Sequence, residues 1–440
     1  MTSATNGALL SRYRRRYIVL TGLRWFPTGL LIPGLVLLMQ QRGLSLATIG
    51  ILSAVFSATV MTLELPTGGL SDVIGRRPVL LVSALLAGAA SLVIAGGASV
   101  WALGLGYVAL AASRALDSGP LQAWFVDQTR ALAPDAPIRP GLSRAEVAGS
   151  VGLGAGALAS GGIVAISPLP TQGALFIALS TPFLVSAVMS LAHAGLVFAW
   201  ITHPVDRVRP RVSDVLREVP GTIGAGARLV AKPGVLRRIA IFTAGVGVAL
   251  NGIELLAPPS FAVRLGGESS AAGPYAVLVT LGFAGAAAGA AVAPLAARVL
   301  RGAPRAVAAS GVAGAIALAL VALPGFWAAA VAFVAFYVAL GVGGPLLDEL
   351  GHDAVSSHGR ATMLSANSMA LQTGGFVASI GATALAQATS VAVGLVAVAV
   401  VLCLATVVFA RWPGSGQTGG SGQTGGSGRS GRSGSVSARA

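Results

Sequence analysis

The sequence predicts an all-α membrane protein whose twelve transmembrane helices form two pseudo-symmetric six-helix bundles. Three observations predict it: the composition, the recurrence of apolar runs of spanning length, and the positions of the arginines. Hydrophobic residues make up 55% of the 440 residues, charged residues make up 10%, and the mean hydropathy is +0.81. A water-soluble fold covers its surface with roughly 25% charged residues, so a string of soluble domains is excluded. Apolar runs instead recur along the whole chain, many near the ~20 residues that carry a helix across the hydrocarbon core. In lipid each span must satisfy its own backbone groups, which favours helices over open sheets.

The spans follow in order. Arg12, Arg14, Arg15 and Arg16 precede the first run, 17–40, which is long enough to span and shows no clear cleavage site for a signal peptide. The second, 46–67, is followed by a charged, glycine-rich turn running from Glu64 to Pro78, and then by 79–98 and 101–127. Arg130, Arg139 and Arg144 lead into 144–166, whose glycines between Gly149 and Gly162 suit close helix packing. The sixth run is 174–201. After the longest polar connection, 202–237, the second six are 238–260, 274–298, 304–323, 326–350, 360–387 and 389–411. Glycines from Gly282 to Gly289 again suit packing. The predicted organisation is therefore 1–201 as the N-terminal bundle, 202–237 as a central loop, 238–411 as the C-terminal bundle, and 412–440 as a disordered Gly/Ser-rich tail. A shift of 225 residues lays Leu70–Pro78 over Leu295–Ala303, a faint internal repeat in which Arg301 matches Arg76.

The arginines set the orientation. With the N-terminus in the cytoplasm, the N-terminal arginines, Arg76 and Arg77, the central loop, Arg298, Arg301, Arg305, Arg360 and the tail arginines all fall inside. Only Arg42 and Arg264 fall outside, while Arg24 and Arg114 lie within spans. This is the positive-inside pattern, with both termini cytoplasmic. It also explains the net charge of +15 without nucleic acid.

Enzyme chemistry is not expected. A phosphate-binding loop needs a lysine directly after its glycines, and the one lysine, Lys232, is followed by Pro233. No metal-ligand spacing or nucleophile–base pattern appears, so no catalytic residue, metal or cofactor is expected. Cys403 is alone and forms no internal disulfide. His193, His203, His352 and His358 are scattered and are given no role. Trp25, Phe26, Trp124 and Phe125 either line a cavity or pack the core.

Ionisable residues inside spans are costly and mark candidate sites. Arg24, Glu64, Arg114 and Asp117 fall at similar depth, roughly 10–20 Å from the cytoplasmic face at about 1.5 Å per residue. Two arginines and two carboxylates there can neutralise one another, or a carboxylate among them can exchange a proton. Burial favours the protonated form of a carboxyl and a nearby arginine the charged form, so moving between such surroundings is a route to proton coupling. Glu254 lies toward the outer half, with no cationic partner in its own half except Arg264 beyond the span, and is either a further proton or cation candidate or a wetted position near the outer mouth. Asp348 and Glu349 lie near the cytoplasmic edge, within reach of Arg301, Arg305 and Arg360.

Gly68, Asp72, Gly75, Arg76 and Arg77 stand in the spacing G-x-x-x-D-x-x-G-R-R. This resembles the signature loop between helices 2 and 3 of the major facilitator superfamily, and the resemblance covers roughly residues 12–411. It implies an inner gate in which Asp72 faces the start of helix 11 near Ser356, Ser357 and Gly359, and Arg76 pairs with Asp127. Arg114 ahead of Gly119 resembles the superfamily's helix-4 arginine motif. Val73 departs from the usual basic residue, and helix 5 lacks the Gly-Pro pair of drug–proton antiporters. The Glu64-Leu-Pro-Thr-Gly and Arg360-Ala-Thr-Met-Leu-Ser runs look most like bacterial efflux permeases. The implied function is secondary active transport: proton-coupled efflux of a small amphipathic organic compound by alternating access. Proton-coupled uptake is the alternative, and a non-transporting membrane sensor or scaffold a third reading. The expected partners are a small-molecule substrate, protons as coupling ion and the lipid bilayer of a bacterial cytoplasmic membrane, with no nucleic acid and a monomer as the working unit.

Overall fold

In the computed structural model the described residues are 3–173, 175–201, 221, 224, 228, 234–355 and 360–411. Among them every regular element is helical. The first span is α1 (Ser3–Leu31) and α2 (Leu35–Gln41), separated by a turn holding Pro33 and Gly34. Then come α3 (Leu46–Ile74), α4 (Arg76–Gly96), α5 (Val100–Leu116), α6 (Pro120–Leu132), α7 (Arg139–Ala165) and α8 (Thr181–Trp200). The second half holds α9 (Val235–Leu265), α10 (Glu268–Val299), α11 (Ala303–Leu320), α12 (Phe326–Asp353), α13 (Arg360–Ala388) and α14 (Val391–Ala410). Among the described residues eleven helical segments are long and apolar enough to cross a membrane alone, and the α5–α6 pair makes the twelfth crossing.

That pair corrects the continuous span expected over 101–127. The helix stops at Leu116 and restarts at Pro120. Proline has no N–H to continue the ladder, and its ring disfavours helical geometry in the residue before it. Gly119 accordingly adopts φ 175, ψ −23.

Consecutive spans alternate direction, so Arg12–Arg16, Arg76, Arg77, Arg130–Arg144, Arg298–Arg305 and Arg411 gather at one end, the basic face. At the opposite face serine side chains cap new helices: Ser45, Ser99 and Ser390 accept from the backbone N–H of Thr48, Ala102 and Val393.

Within each half, glycines let two helix backbones touch. A Cβ on Gly156 of α7 would lie 2.2 Å from the Phe26 carbonyl of α1, and one on Gly374 of α13 would lie 2.0 Å from that of Ala244 of α9. The glycine runs thus serve packing: Gly282, Gly285 and Gly289 lie against Tyr337, Val338 and Phe333 of α12. The two halves also repeat a device that the sequence did not disclose. Arg42 leaves the end of α2 and donates to the carbonyls of Ile94 (2.9 Å), Ala95 and Gly97 at the close of α4, and to that of Leu175 (3.2 Å) in the connection before α8. Arg264, at the end of α9, donates to those of Val321 (2.9 Å), Leu323 and Pro324 (3.3 Å), at the close of α11. The two arginines of the opposite face thus neutralise helix C-terminal carbonyls. Trp101 and Trp327 repeat in the same way, in the first turns of α5 and α12, 89% and 78% exposed where indole rings anchor at a membrane interface. The repeat register needs one correction. Gly75 (φ 96) caps α4 and Gly302 (φ 140) caps α11, so Gly302 matches Gly75, while Arg301 turns through φ 58 in the loop and does not match Arg76.

Buried apolar side chains form one large core that both halves share, from Leu31–Met39, Leu103 and Phe183 to Ile253, Phe261, Tyr275 and Phe333. Nearer the basic face there are two separate cores, one around Tyr17, Leu121, Trp124 and Phe125, the other around Ile239, Phe242, Val307 and Phe409. The halves are packed together toward the opposite face and parted toward the basic one.

Candidate transport cavity and signature turn

A cavity of about 300 Å³ lies where the halves part, walled by α1, α3, α5, α6 and α7 of the first half and by α13 of the second. The break between α5 and α6 opens onto it: Arg114, Ser118, Gly119 and Gln122 are all exposed to it. Breaking a helix in a membrane leaves backbone carbonyls to satisfy, and neighbouring hydroxyls do so. Ala115 O accepts from Thr67 Oγ1 of α3 (2.8 Å) and from Ser118 Oγ (2.9 Å). Ser113 O accepts from Ser83 Oγ of α4 (2.8 Å) while Ser113 Oγ donates to Ser83 O (2.9 Å). The break is fastened on both sides.

All four residues expected at similar depth line this cavity: Arg24, Glu64, Arg114 and Asp117. They do not form one mutually neutralising cluster. Arg24 forms an ion pair with Asp117, and its guanidinium lies 4.6 Å over the Trp25 ring. Glu64 instead reaches the other half, accepting from Ser368 Oγ at 3.2 and 3.3 Å. Arg114 has no hydrogen bond or ion pair among the described residues, and its guanidinium lies 6.0 Å from the centre of the Trp25 ring. The reason is geometric: the break at 117–119 turns Asp117 toward α1, and the glutamate on α3 faces α13.

Sequence reasoning missed Gln122, Glu146, Ser368 and Gln372, which also line the cavity. Glu146 was hidden by its place beside Arg144 at the edge of a predicted span. Ser368 and Gln372 carried a readable signal, since residues four apart share a helix face.

Glu254 of α9 is half-buried and has no hydrogen bond or ion pair among the described residues; the cation whose charge reaches it is Arg114, from the other half. Asp348 and Glu349 form no ion pair with Arg301 or Arg305, and the side chain of Arg360 lies outside the described residues. Trp124 and Phe125 are core residues, whereas Trp25 lines the cavity. His193 is buried in α8, and His203 and His358 lie outside the described residues.

At the basic face, Gly75 separates α3 from α4 at a φ that a side chain would strain. Arg76 forms an ion pair with Asp127 of α6, and Arg77 lies 4.2 Å over the Phe198 ring of α8. The Asp72 side chain, the surroundings of Gly68, and Ser356, Ser357 and Gly359 lie outside the described residues. The short helix α6 therefore joins the two places: its first turn lines the cavity and Asp127 engages the signature turn, about 10 Å further along at 1.5 Å per residue.

Twelve apolar crossings in two matching halves around a polar cavity define a multi-pass membrane transporter. The chain belongs to the major facilitator superfamily, whose sequence model matches residues 17–379. Among solved structures, the nucleoside transporter NupG is similar at 14% identity and a TM-score of 0.73, covering 91% of this chain and 100% of that one. A bacterial homologue of the human lysosomal transporter Spinster, in an inward-facing and unoccupied conformation, is 15% identical with a TM-score of 0.71, covering 91% and 96%. The human organic anion transporter MFSD10 is 15% identical with a TM-score of 0.58, covering 91% and 99%. At these identities the likeness is one of fold. No curated protein matches the sequence.

Proposed function

We propose that this transporter exports a small amphipathic organic compound in exchange for protons, by alternating access, in a bacterial cytoplasmic membrane with its basic face and both termini inside. The observation that carries the reading is the half-depth cavity itself: it holds carboxylates and arginines together, and a core shared by both halves closes it off from the opposite face. A substrate entering from the basic face meets Trp25 and the polar wall of the broken helix. Glu64, Asp117 and Glu254 are the groups we assign to proton exchange, with Arg24 and Arg114 setting their charge states.

The gate is Gly68, Asp72, Gly75, Arg76, Arg77 and Asp127. When the basic face closes, the halves 1–201 and 238–411 swing together as bodies linked by 202–237, and this turn meets the start of α13. The ion pair of Arg76 with Asp127 supports the reading, because it ties the turn to the helix that lines the cavity.

The test is transport in vesicles of known orientation under an imposed pH gradient, with chemically diverse compounds. Protons and compound moving in opposite directions support export, and co-movement replaces it with uptake. Correctly folded protein that moves no compound would leave only a sensor or scaffold. Asp72→Asn is expected to slow cycling at least tenfold while leaving compound binding intact; loss of binding would remove Asp72 from the gate.

A further inference from the structure

Inside the cavity the charges do not close among themselves. Arg24 and Asp117 form an ion pair through Nε and Oδ2, with the Arg24 guanidinium over the Trp25 ring, while Asp117 Oδ1 is buried without a hydrogen bond among the described residues. Arg114 on α5 is exposed to the cavity, with an aromatic ring and no anion in contact. Glu146 on α7 is likewise exposed to it, with no hydrogen bond or ion pair among the described residues, and the cation it senses is Arg24, already engaged by Asp117. Glu64 on α3 has only the neutral hydroxyl of Ser368. One guanidinium and two carboxylates, on three different helices, thus face the same 300 Å³ with no ion pair to an opposite charge among the described residues.

While the cavity is wet, water solvates them. Alternating access requires the cavity to shut around its cargo and lose that water, and an uncompensated charge then costs several kcal/mol. A neutral or purely apolar cargo leaves the full cost in place. A cargo with a single sign of charge relieves one wall and leaves the other. We infer that the substrate carries both an acidic and a basic group, the acidic group meeting Arg114 and the basic group meeting Glu146 or Glu64, with its apolar part against Trp25. This rests on the cavity being the transport site, as proposed above.

The test uses the full chain in proteoliposomes and a compound set matched in size and apolar area but sorted by charge: zwitterions, monocations, monoanions and neutral molecules. Flux is expected to concentrate among the zwitterions, with at least a tenfold fall on blocking the acid as its ester or the amine as its amide. For compounds that move, Arg114→Gln is expected to weaken binding at least tenfold and to abolish the effect of esterification, because the group that recognised the acid has gone. Glu146→Gln and Glu64→Gln are read against the amine-blocked form in the same way. Flux confined to monocations, monoanions or neutral compounds overturns the inference and leaves the transport reading standing. Esterification that costs as much in Arg114→Gln as in the parent also overturns it. No flux in any class overturns the transport reading itself, and the inference falls with it.

Discussion

Arg24 and Asp117 put opposite charges beside each other at the half-depth of the bundle, with their side chains 22% and 9% exposed. Coulomb attraction in such a place offsets the loss of hydration only while both partners are present. Asp117→Asn is therefore expected to destabilise the fold by about 3 kcal/mol, read by unfolding in detergent. The double variant Arg24→Gln/Asp117→Asn removes both charges and is expected to recover most of that loss. If the single and double variants unfold alike, the pair is not a coupled unit. At Asp117 the depth was legible along the chain, but the choice of partner was not. The chain showed four ionisable groups at one depth, but which of them touch depends on the direction each helix turns its face.

At the level of elements, two features govern how helices are held. The guanidinium of Arg42 closes the carbonyl end of α4, and Arg264 closes that of α11. Hydrogen bonds to a charged donor contribute about 1.5–3 kcal/mol each where they are not replaced by water, and these sites are partly wet. Arg42→Ala is expected to cost about 2 kcal/mol in unfolding experiments, and Arg42→Lys to recover only part, since an ammonium lacks the planar fork. Equal stability of the three proteins would show that water does the capping. The second feature is the break before α6. Gly119 has open space where a Cβ would go, so Gly119→Ala/Pro120→Ala is sterically accommodated at Gly119 and restores a helix-forming N–H at 120. A continued helix carries Asp117 away from Arg24. The expected result is a folded protein with transport slowed at least tenfold; unchanged transport would mean that the break has no part in the cycle.

For the whole molecule, the decisive contacts are those between the halves at the opposite face. Gln41 Nε2 donates to Ser269 Oγ (2.9 Å), Leu46 N donates to Gln387 Oε1 (3.1 Å), and the hydroxyls of Ser53 and Ser379 meet at 3.0 Å. Gly50 makes this closure possible, because a Cβ there would lie 2.1 Å from Ser379 O and 2.0 Å from Thr383 Oγ1. Gly50→Ala is thus a wedge between α3 and α13. It is expected to shift the population toward the state open at the opposite face, raising the labelling rate of a cysteine placed at Ser53 at least fivefold in otherwise cysteine-free protein. No change in labelling would show that the helices slide past the added methyl.

The sequence by itself determined that this chain lives in a membrane, how many times it crosses, where its charged ends gather and which family it joins. Those follow from local and additive properties: the length of apolar runs, the cost of charge in lipid, and a loop motif whose spacing is contiguous. The twelve crossings were legible for that reason, as were Arg24, Glu64, Arg114 and Asp117 as cavity residues, since depth can be counted along one helix. Only the tertiary structure decided that Asp117 takes Arg24, that Glu64 takes Ser368 from the other half, that Glu146 joins them, and that Arg42 and Arg264 are bound to carbonyls and not left in solvent. Rotation of a helix about its axis and the approach of two helices distant in sequence are set by packing summed over many side chains. No window along the chain contains that sum.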